Sequence, residues 1–366
     1  MNLTNKYKDE AAGLEQPDVF AGTRSVAWRS PSNIALVKYW GKKPGQVPEN
    51  PSLSFSLDRS YTDTKIEYTV RKHKSAGLKF LFEGKENPAF EKRVKEYLQS
   101  ITPYLPFLDH LDLTISSSNS FPHSSGIASS ASAMSALALC LTDMEKELFQ
   151  FSGTPEDFKQ KAAFLARLGS GSATRSVYGG YVLWGETAQL ENSTDEAGLP
   201  WPVEENNAFS GLNDSILITS AAKKKISSSR GHGMMKSHPW AGARYVQANQ
   251  NLEELLEAIN TADDEKFIAI IENEALSLHA LMMSSDPGYR LMNERTWAII
   301  DRIREYREKT GQFITFTLDA GPNVHVFYRN ENKESITAFI KENLLKYCEN
   351  AYWIDDQMGN GPMRLI

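Results

Sequence analysis

Regular spacing of apolar residues predicts several strands and helices in the first half of the chain. Apolar and polar residues alternate over 63–71 and again over 111–115, as they do in half-buried strands. Apolar residues about one helical turn apart, separated by charged residues, predict an amphipathic helix over 87–101. The remaining elements predicted here are strand-like residues over 25–37, helices over 126–141 and 155–168, the second with Thr154 as a candidate N-cap, and a strand over 179–184.

The second half of the chain is richer in predicted helices. Its helices are predicted over 240–259, 263–283, 290–309 and 333–347, and its strands over 215–220, 313–318, 324–328 and 350–354. Residues 1–24 show no regular pattern and are predicted to form an irregular arm. The irregular alternation of strands and helices favours an α+β fold over a doubly wound parallel sheet. We therefore predict two domains, over 25–215 and 216–366, after the arm.

Composition and charge exclude several classes of function. Of the 366 residues, 41% are hydrophobic and 23% are charged, which is typical of a globular protein. The net charge of −6 gives no reason to expect nucleic acid or an anionic membrane as a partner. The first 22 residues lack the apolar segment of a signal peptide, and no later stretch is apolar enough to suggest a membrane span, so we expect a cytoplasmic protein. The cysteines, Cys140 and Cys348, lie far apart, and the histidines form no metal-binding spacing, so we predict no metal held by protein side chains.

A serine-rich segment is the strongest candidate for phosphate binding. Pro122, Ser124 and Gly126 lie in a polar loop after a predicted strand, and Ser129 and Ser130 open the following helix. The free backbone N–H groups of a helix N-terminus bind anions, and small side chains let a phosphate approach the backbone. The same residues would also suit a tightly packed helix start with serine caps.

A second segment rich in glycine and serine follows the helix predicted over 155–168. It contains Gly169, Ser170 and Ser172, and then Arg175, whose planar guanidinium suits a carboxylate or a phosphate. The alternative is a helix that ends at Gly169, followed by a solvated arginine.

Lys38 and Asp319 each lie at the end of a predicted strand. Lys38 follows the apolar run 34–37, so its side chain either enters a cleft or lies on the surface. Asp319 begins a turn, for which an aspartate is common, but strand ends are also positions at which general bases are found. The basic, glycine-containing segment 223–234 is either a lid over an anion or a solvated loop, and for its three lysines we favour the solvated loop.

Five segments in this order resemble the mevalonate diphosphate decarboxylases, a branch of the GHMP kinase superfamily. They are NIALVKYWGK (33–42), FPHSSGIASSASA (121–133), ARLGSGSATRSVYGGYVLW (166–184), SSRGHGM (228–234) and DAGPN (319–323). The resemblance implies a GHMP-kinase-type fold of two domains with the active site in the cleft between them. It also implies that ATP, with Mg²⁺, phosphorylates the 3-hydroxyl of (R)-5-diphosphomevalonate, which then loses phosphate and CO₂ to give isopentenyl diphosphate.

The resemblance also assigns roles to individual residues. It implies that Asp319 orients the hydroxyl and accepts its proton, with Lys38 and Arg175 offsetting charge at the reacting centre. The residues expected to hold ATP phosphates are Pro122, Ser124, Gly126, Ser129 and Ser130. The residues expected to hold the rest of the substrate are Asn33, Tyr39, Lys42, Ser170, Ser172, Ser229, Arg230 and Met234. A homodimer is expected by the same analogy.

The chain departs from the family pattern at three positions that concern the phosphate end of the substrate. Pro51 and His123 replace residues that are usual in the family, and one additional residue separates Arg230 from Met234. The alternatives are therefore a phosphomevalonate decarboxylase or a mevalonate 3-kinase of the same superfamily. Asp319 favours a decarboxylase over a kinase that stops at phosphorylation.

Overall fold

Two β-sheets organise the chain in the computed structural model, which describes residues 2–17, 20–71, 77–122, 127–149, 153–222 and 226–366. The strands are β1 (Arg24–Ala35), β2 (Ser52–Val70), β3 (Leu78–Phe82), β4 (Lys85–Glu86), β5 (Leu111–Asn119), β6 (Tyr181–Trp184), β7 (Leu199–Pro200), β8 (Asn213–Leu217), β9 (Ile314–Thr317), β10 (Val324–Tyr328), β11 (Trp353–Gln357) and β12 (Met363–Arg364). The first sheet has the order β12-β1-β2-β5-β3-β4, with β6 paired to β2 and β7 to β6. The second has the order β11-β8-β10-β9.

Helices cover both sheets. They are α1 (Leu3–Ala11), α2 (Pro88–Ile101), α3 (Ser129–Phe149), α4 (Pro155–Gly169), α5 (Ser228–Met234), α6 (Ala241–Thr261), α7 (Asp264–Ser284), α8 (Glu294–Thr310) and α9 (Lys333–Phe339). The α+β fold class predicted from the sequence is confirmed.

Strand β2 is the central element of the first sheet. It pairs in antiparallel fashion with β1, β5 and β6, whereas β3 and β5 pair in parallel. From Ser60 to Tyr68, buried residues alternate with half-buried ones, as the apolar alternation over 63–71 predicted. This strand therefore presents one face to the core beneath α3.

The hydrophobic cores connect the two halves of the chain. One core lies between the first sheet and α2–α4, and another lies between the second sheet and α8 and α9. A third core combines Leu53 and Phe55 of β2 with Leu256 of α6 and Phe267 of α7. Phe55 also lies 5.1 Å from Phe327 of β10, measured between ring centroids. Because apolar side chains from both halves are buried in this one core, the two halves pack against each other around a cleft.

The prediction of an irregular arm over 1–24 is wrong, because its first part is a docked helix. The side chain of Asn2 caps α1, and Leu3, Tyr7 and Ala11 form a buried stripe with a spacing of four residues. The Tyr7 ring packs 5.0 Å from the ring of Phe164 in α4. The carboxylate of Glu196 accepts a hydrogen bond from the Leu3 backbone N–H at 2.5 Å. The many charged residues of the arm conceal this stripe in the sequence.

Several other helices have boundaries that differ from those predicted from the sequence. Helix α3 begins at Ser129 and continues to Phe149, beyond the predicted 126–141. Helix α9 ends at Phe339, and a π-helical turn over Ile340–Leu344 replaces the rest of the helix predicted over 333–347. The segment 228–234 is not a loop but helix α5, capped by the side chain of Ser227.

The sequence predicts that no stretch is apolar enough to span a membrane, and helix α7 is an exception to this prediction. Its length and composition alone would allow a span. In the structure, however, Phe267, Ile271, Ala275 and Leu278 are buried in the protein interior. Its apolar character is accounted for by packing in the core.

Candidate active site

A cavity of about 530 Å³ is lined by side chains from both halves of the chain. Strand β1 and the segment after it supply one wall, α3 and the segment after α4 supply a second, and α5, α7 and the turn after β9 close it. The predicted site residues that line it are Asn33, Lys38, Tyr39, Lys42, Ser129, Ser130, Ser170, Ser172, Arg175, Ser229 and Asp319. Four distant stretches of sequence and the Asp319 turn therefore meet at one cavity.

The structure does not bring every predicted residue to this cavity. Arg230 and Pro122 are exposed, Met234 is half-buried, and none of the three lines the cavity wall. The reason at Arg230 is helical geometry, since α5 turns Ser228 and His232, four residues apart, toward the cavity and Arg230 away from it. Ser124 and Gly126 lie outside the described residues, as does His123.

Lys38 and Asp319 form an ion pair at the cavity wall. The Lys38 ammonium is 3.2 Å from Oδ1 of Asp319 and also donates to the carbonyl of Ala35 at 2.5 Å. The Lys38 side chain is 2% exposed and that of Asp319 is 25% exposed, so the carboxylate faces the cavity. Burial lowers the pKa of Lys38 below the usual value for lysine, and the charge of Asp319 opposes that shift. The pair thus places one cation and one carboxylate at the same point.

Arg175 supplies a second buried cation. It lies in a 3₁₀-helical stretch, Gly171–Val177, that follows α4. Its Nε donates to Oδ1 of Asn33 at 3.3 Å, and its Nη1 contacts the hydroxyl of Ser52. Burial lowers the pKa of Arg175 to about 10, while nearby Asp319 and Tyr39 favour the charged form. Arg175 therefore remains a cation at neutral pH, held in a fixed orientation.

Gly171 allows the tyrosine ring of the site to lie against this stretch. A Cβ at Gly171 would come within 2.8 Å of the Trp184 ring and 2.9 Å of the Tyr39 hydroxyl. Real Cβ atoms do not approach other atoms so closely, so any larger residue would displace Tyr39 or Trp184. The glycine is required by close packing and not by a special backbone conformation.

His232 is a site residue that the sequence reasoning left unassigned. Its ring lies between Tyr39 and Trp40, with ring centroids 4.4 and 4.6 Å away. Its Nδ1 accepts a hydrogen bond from the Gly41 backbone N–H at 3.0 Å. Burial lowers the pKa of His232 to about 3, and the positive charge of Lys42 makes a smaller contribution in the same direction. His232 is therefore a neutral part of the cavity wall, in the segment between Arg230 and Met234.

The N-terminus of α3 faces the same cavity. Ser129 and Ser130 open the helix, and the Ser130 hydroxyl is 3.4 Å from the hydroxyl of Ser170. The start of α3 and the hydroxyls of Ser129, Ser130 and Ser170 line the same cavity as Lys38 and Arg175, and such a surface suits an anionic ligand. Within the described ranges, no group of three or more His, Cys, Asp or Glu side chains could hold a metal ion.

Three phenylalanines also line the cavity, which the sequence motifs did not indicate. Phe80 and Phe82 of β3 and Phe90 of α2 line it. The rings of Phe82 and Phe90 meet edge to face at 5.2 Å. Apolar rings and buried cations in one cavity suit a ligand that has a planar group and several negative charges.

Two family models match most of the chain. One, described as the diphosphomevalonate decarboxylase-like N-terminal domain, matches residues 30–195. The other, described as the mevalonate 5-diphosphate decarboxylase C-terminal domain, matches residues 215–360. Among curated relatives, diphosphomevalonate decarboxylase ERG19 of Gibberella zeae is 31% identical over 84% of this chain and 81% of its own length. Diphosphomevalonate decarboxylase of Danio rerio is 30% identical over 82% and 75%.

Solved structures of similar proteins agree with these matches. The mevalonate diphosphate decarboxylase of Staphylococcus aureus superimposes with a TM-score of 0.79 at 27% identity, covering 94% of this chain and 99% of that one. A structure described as MDDEF in complex with MVAPP, AMPPCP and magnesium gives a TM-score of 0.78 at 27% identity, with the same coverage.

Proposed function

This chain belongs to the diphosphomevalonate decarboxylase family, and we propose that its cavity converts (R)-5-diphosphomevalonate and ATP to isopentenyl diphosphate, ADP, phosphate and CO₂. The reaction belongs to the mevalonate pathway of isoprenoid biosynthesis. The observation that carries the proposal is the ion pair at 3.2 Å between Lys38 and Asp319, which lies on a cavity wall shared with Arg175.

Positioning of the two substrates is the first task of the site. We propose that the α3 N-terminus, with Ser129 and Ser130, holds the ATP phosphates and that the rings of Phe80, Phe82 and Phe90 receive the adenine. Lys42, Tyr39 and Ser170 are proposed to contact the phosphorylated mevalonate. Fixing both substrates makes the reaction effectively unimolecular, which is worth about 7–11 kcal/mol in well-oriented intramolecular reactions.

Phosphoryl transfer follows at the tertiary hydroxyl. The Asp319 carboxylate accepts the hydroxyl proton as the C3 oxygen attacks the γ-phosphorus of ATP, and the bond from this phosphorus to the β-γ bridging oxygen breaks to release ADP. Lys38 and Arg175 offset the negative charge that collects around the transferred group. Mg²⁺ supplies further charge neutralisation when it is bound to the ATP phosphates. Ser129 and Ser130 are the side chains proposed to lie closest to those phosphates.

Decarboxylation completes the reaction. The C3–O bond breaks and its electron pair leaves with phosphate, while the electron pair of the bond to the carboxyl carbon forms the new double bond as CO₂ departs. Arg175 is suited to hold the substrate carboxylate, since its guanidinium is buried and oriented by Asn33 and Ser52. Because His232 is neutral, it adds no cation that would oppose the positive character that develops at C3.

A substrate panel tests the proposal. Mevalonate, its 5-phosphate and its 5-diphosphate are each incubated with Mg-ATP, followed by phosphorus NMR and by trapping of CO₂. We expect one CO₂ per ADP with the 5-diphosphate as the preferred substrate. Formation of ADP without CO₂ would identify a kinase, and a preference for the 5-phosphate would overturn the substrate assignment.

We also propose that the enzyme works as a cytoplasmic homodimer, by analogy with the family. Sedimentation of the purified chain tests the oligomeric state, and a monomer at micromolar concentration would contradict it. The assignment of the site residues does not depend on this proposal.

A further inference from the structure

A buried carboxylate on α7 contacts the backbone of Lys38. Glu274 is fully buried, and its Oε2 accepts a hydrogen bond from the Lys38 backbone N–H at 2.7 Å. Lys38 lies three residues beyond the end of β1, whose pairing with β2 stops at Ala35. The orientation of its peptide group therefore depends on contacts made by side chains.

Arg244 of α6 fixes this carboxylate. Its two terminal nitrogens donate to Oε1 and Oε2 of Glu274 at 2.6 and 2.5 Å, a bidentate arrangement. Asn251 donates to Oε1 at 2.6 Å. Arg244 also donates to the Lys38 carbonyl at 3.3 Å. The buried pair thus holds the N–H and the C=O of the same residue.

The same helix contacts the other partner of the Lys38–Asp319 ion pair. Nε2 of His279, five residues after Glu274, lies 3.1 Å from the backbone carbonyl of Asp319. Helix α7 therefore contacts the backbone of both Lys38 and Asp319, which are far apart in sequence. We propose that Glu274, fixed by Arg244, is a positioning residue that sets the separation of Lys38 and Asp319 for phosphoryl transfer. The inference rests on the proposed function.

The charges around Lys38 give this proposal an electrostatic signature. Burial lowers the pKa of Lys38 below its ordinary value, the charges of Asp319 and Glu274 oppose that shift, and the charge of Arg175 adds to it. Arg244 adds a further cation beside the Lys38 carbonyl. Removing the charge of Glu274 alone therefore shifts the pKa of Lys38 downward, and Lys38 loses its proton at a lower pH.

The test compares Glu274→Gln with a matched control on the same helix. Glu272 is 6% exposed and pairs with Arg304 at 2.9 Å and Arg307 at 2.7 Å, and in the part of the chain that the structure describes its remaining hydrogen bond is with Thr315 and not with Lys38. For Glu274→Gln we expect kcat to fall about 10- to 100-fold with little change in the KM for ATP, because a misplaced reacting group slows the chemical step. We also expect the alkaline limb of its kcat profile to move to lower pH. Glu272→Gln should lower thermal stability and leave both kinetic readouts unchanged.

A second variant covers the case in which Glu274→Gln fails to fold because Arg244 is left unpaired. Arg244→Met/Glu274→Leu removes both charges, an exchange that is often neutral for stability. Because Glu274→Leu removes the acceptor of the Lys38 N–H and of Asn251, we expect this double variant to have a lower melting temperature, to remain folded at the assay temperature and to lose kcat. A folded variant with wild-type kcat would overturn the proposal, as would an equal shift of the alkaline limb in Glu272→Gln. All kinetics follow ADP formation, so a wild-type enzyme that forms ADP without CO₂ refutes the proposed function while the positioning role is still tested.

Discussion

Asp319→Asn is the substitution that most clearly separates catalysis from stability. The change preserves the shape of the side chain and removes one negative charge 3.2 Å from the Lys38 ammonium. A positioned general base contributes about 10²–10⁴-fold to a rate. At about 1.36 kcal/mol for each factor of ten, we expect the activation free energy to rise by about 2.7–5.4 kcal/mol.

The expected cost to folding is smaller. Lys38 keeps its hydrogen bond to Ala35 and remains near Glu274, and the Asp319 side chain is 25% exposed. Losing one charged hydrogen-bond partner of a buried group costs about 1–3 kcal/mol. Glu145→Gln is the matched control, because it disrupts a more deeply buried pair with Lys161, at 2.6 Å, that lies outside the cavity.

Steady-state kinetics and thermal unfolding measure both effects. Asp319→Asn should fold, bind nucleotide and lose most of its turnover, whereas Glu145→Gln should unfold at a lower temperature and retain its kcat. A near-normal kcat in Asp319→Asn would show that Asp319 is not the general base. A similar loss of kcat in Glu145→Gln would show that the assay reports stability instead of chemistry.

Three further predictions concern Arg175, the N-terminal helix and His232. Arg175→Lys should lower kcat by about 10²–10³-fold, because an ammonium cannot reproduce the fork that contacts Asn33 and Ser52, and an unchanged kcat would refute this. Tyr7→Ala should lower the free energy of unfolding by about 3–5 kcal/mol, whereas Tyr7→Phe, which loses only the hydrogen bond to Gln160, should lower it by about 0.5–1.5 kcal/mol. If urea titrations showed that both variants lose the same small amount of unfolding free energy, α1 would not be docked on the protein. Burial lowers the pKa of His232 from 6.5 to about 3, so between these values only the unfolded chain binds this proton and stability falls as the pH falls. His232→Gln should lose this part of the pH dependence in urea titrations, and an unchanged slope would contradict the burial of a neutral ring.

The sequence predicted those features that depend on local pattern. The Thr154 cap is a capping box with Asp157, and the alternation over 63–71 became the half-buried part of β2. Several candidate site residues could be identified because each lies at the start or end of a predicted strand or helix and has a polar or charged side chain. They are the serine and glycine segments, Lys38 and Asp319. Their assembly at one cavity was implied by the family resemblance and not by any single segment.

The features that were missed depend on contacts between distant elements. Glu274 and Arg244 have the sequence context of exposed helix charges, and their burial arises only when α6 and α7 pack together. Helix α1 was concealed because its apolar stripe is short and its other positions are charged. Arg230 was assigned to the substrate from its motif, yet the turn of α5 directs it to solvent. Local pattern does not determine which face of such an element is covered.

The fate of the substrate's tertiary oxygen is the most direct test of the account. (R)-5-diphosphomevalonate labelled with ¹⁸O at the 3-hydroxyl is converted with unlabelled ATP in unlabelled water, and the inorganic phosphate is analysed by mass spectrometry. If the hydroxyl oxygen attacks the γ-phosphorus and then leaves C3, every phosphate released in turnover carries one ¹⁸O atom. Unlabelled phosphate formed together with CO₂ would show that the C3 oxygen never becomes bonded to phosphorus.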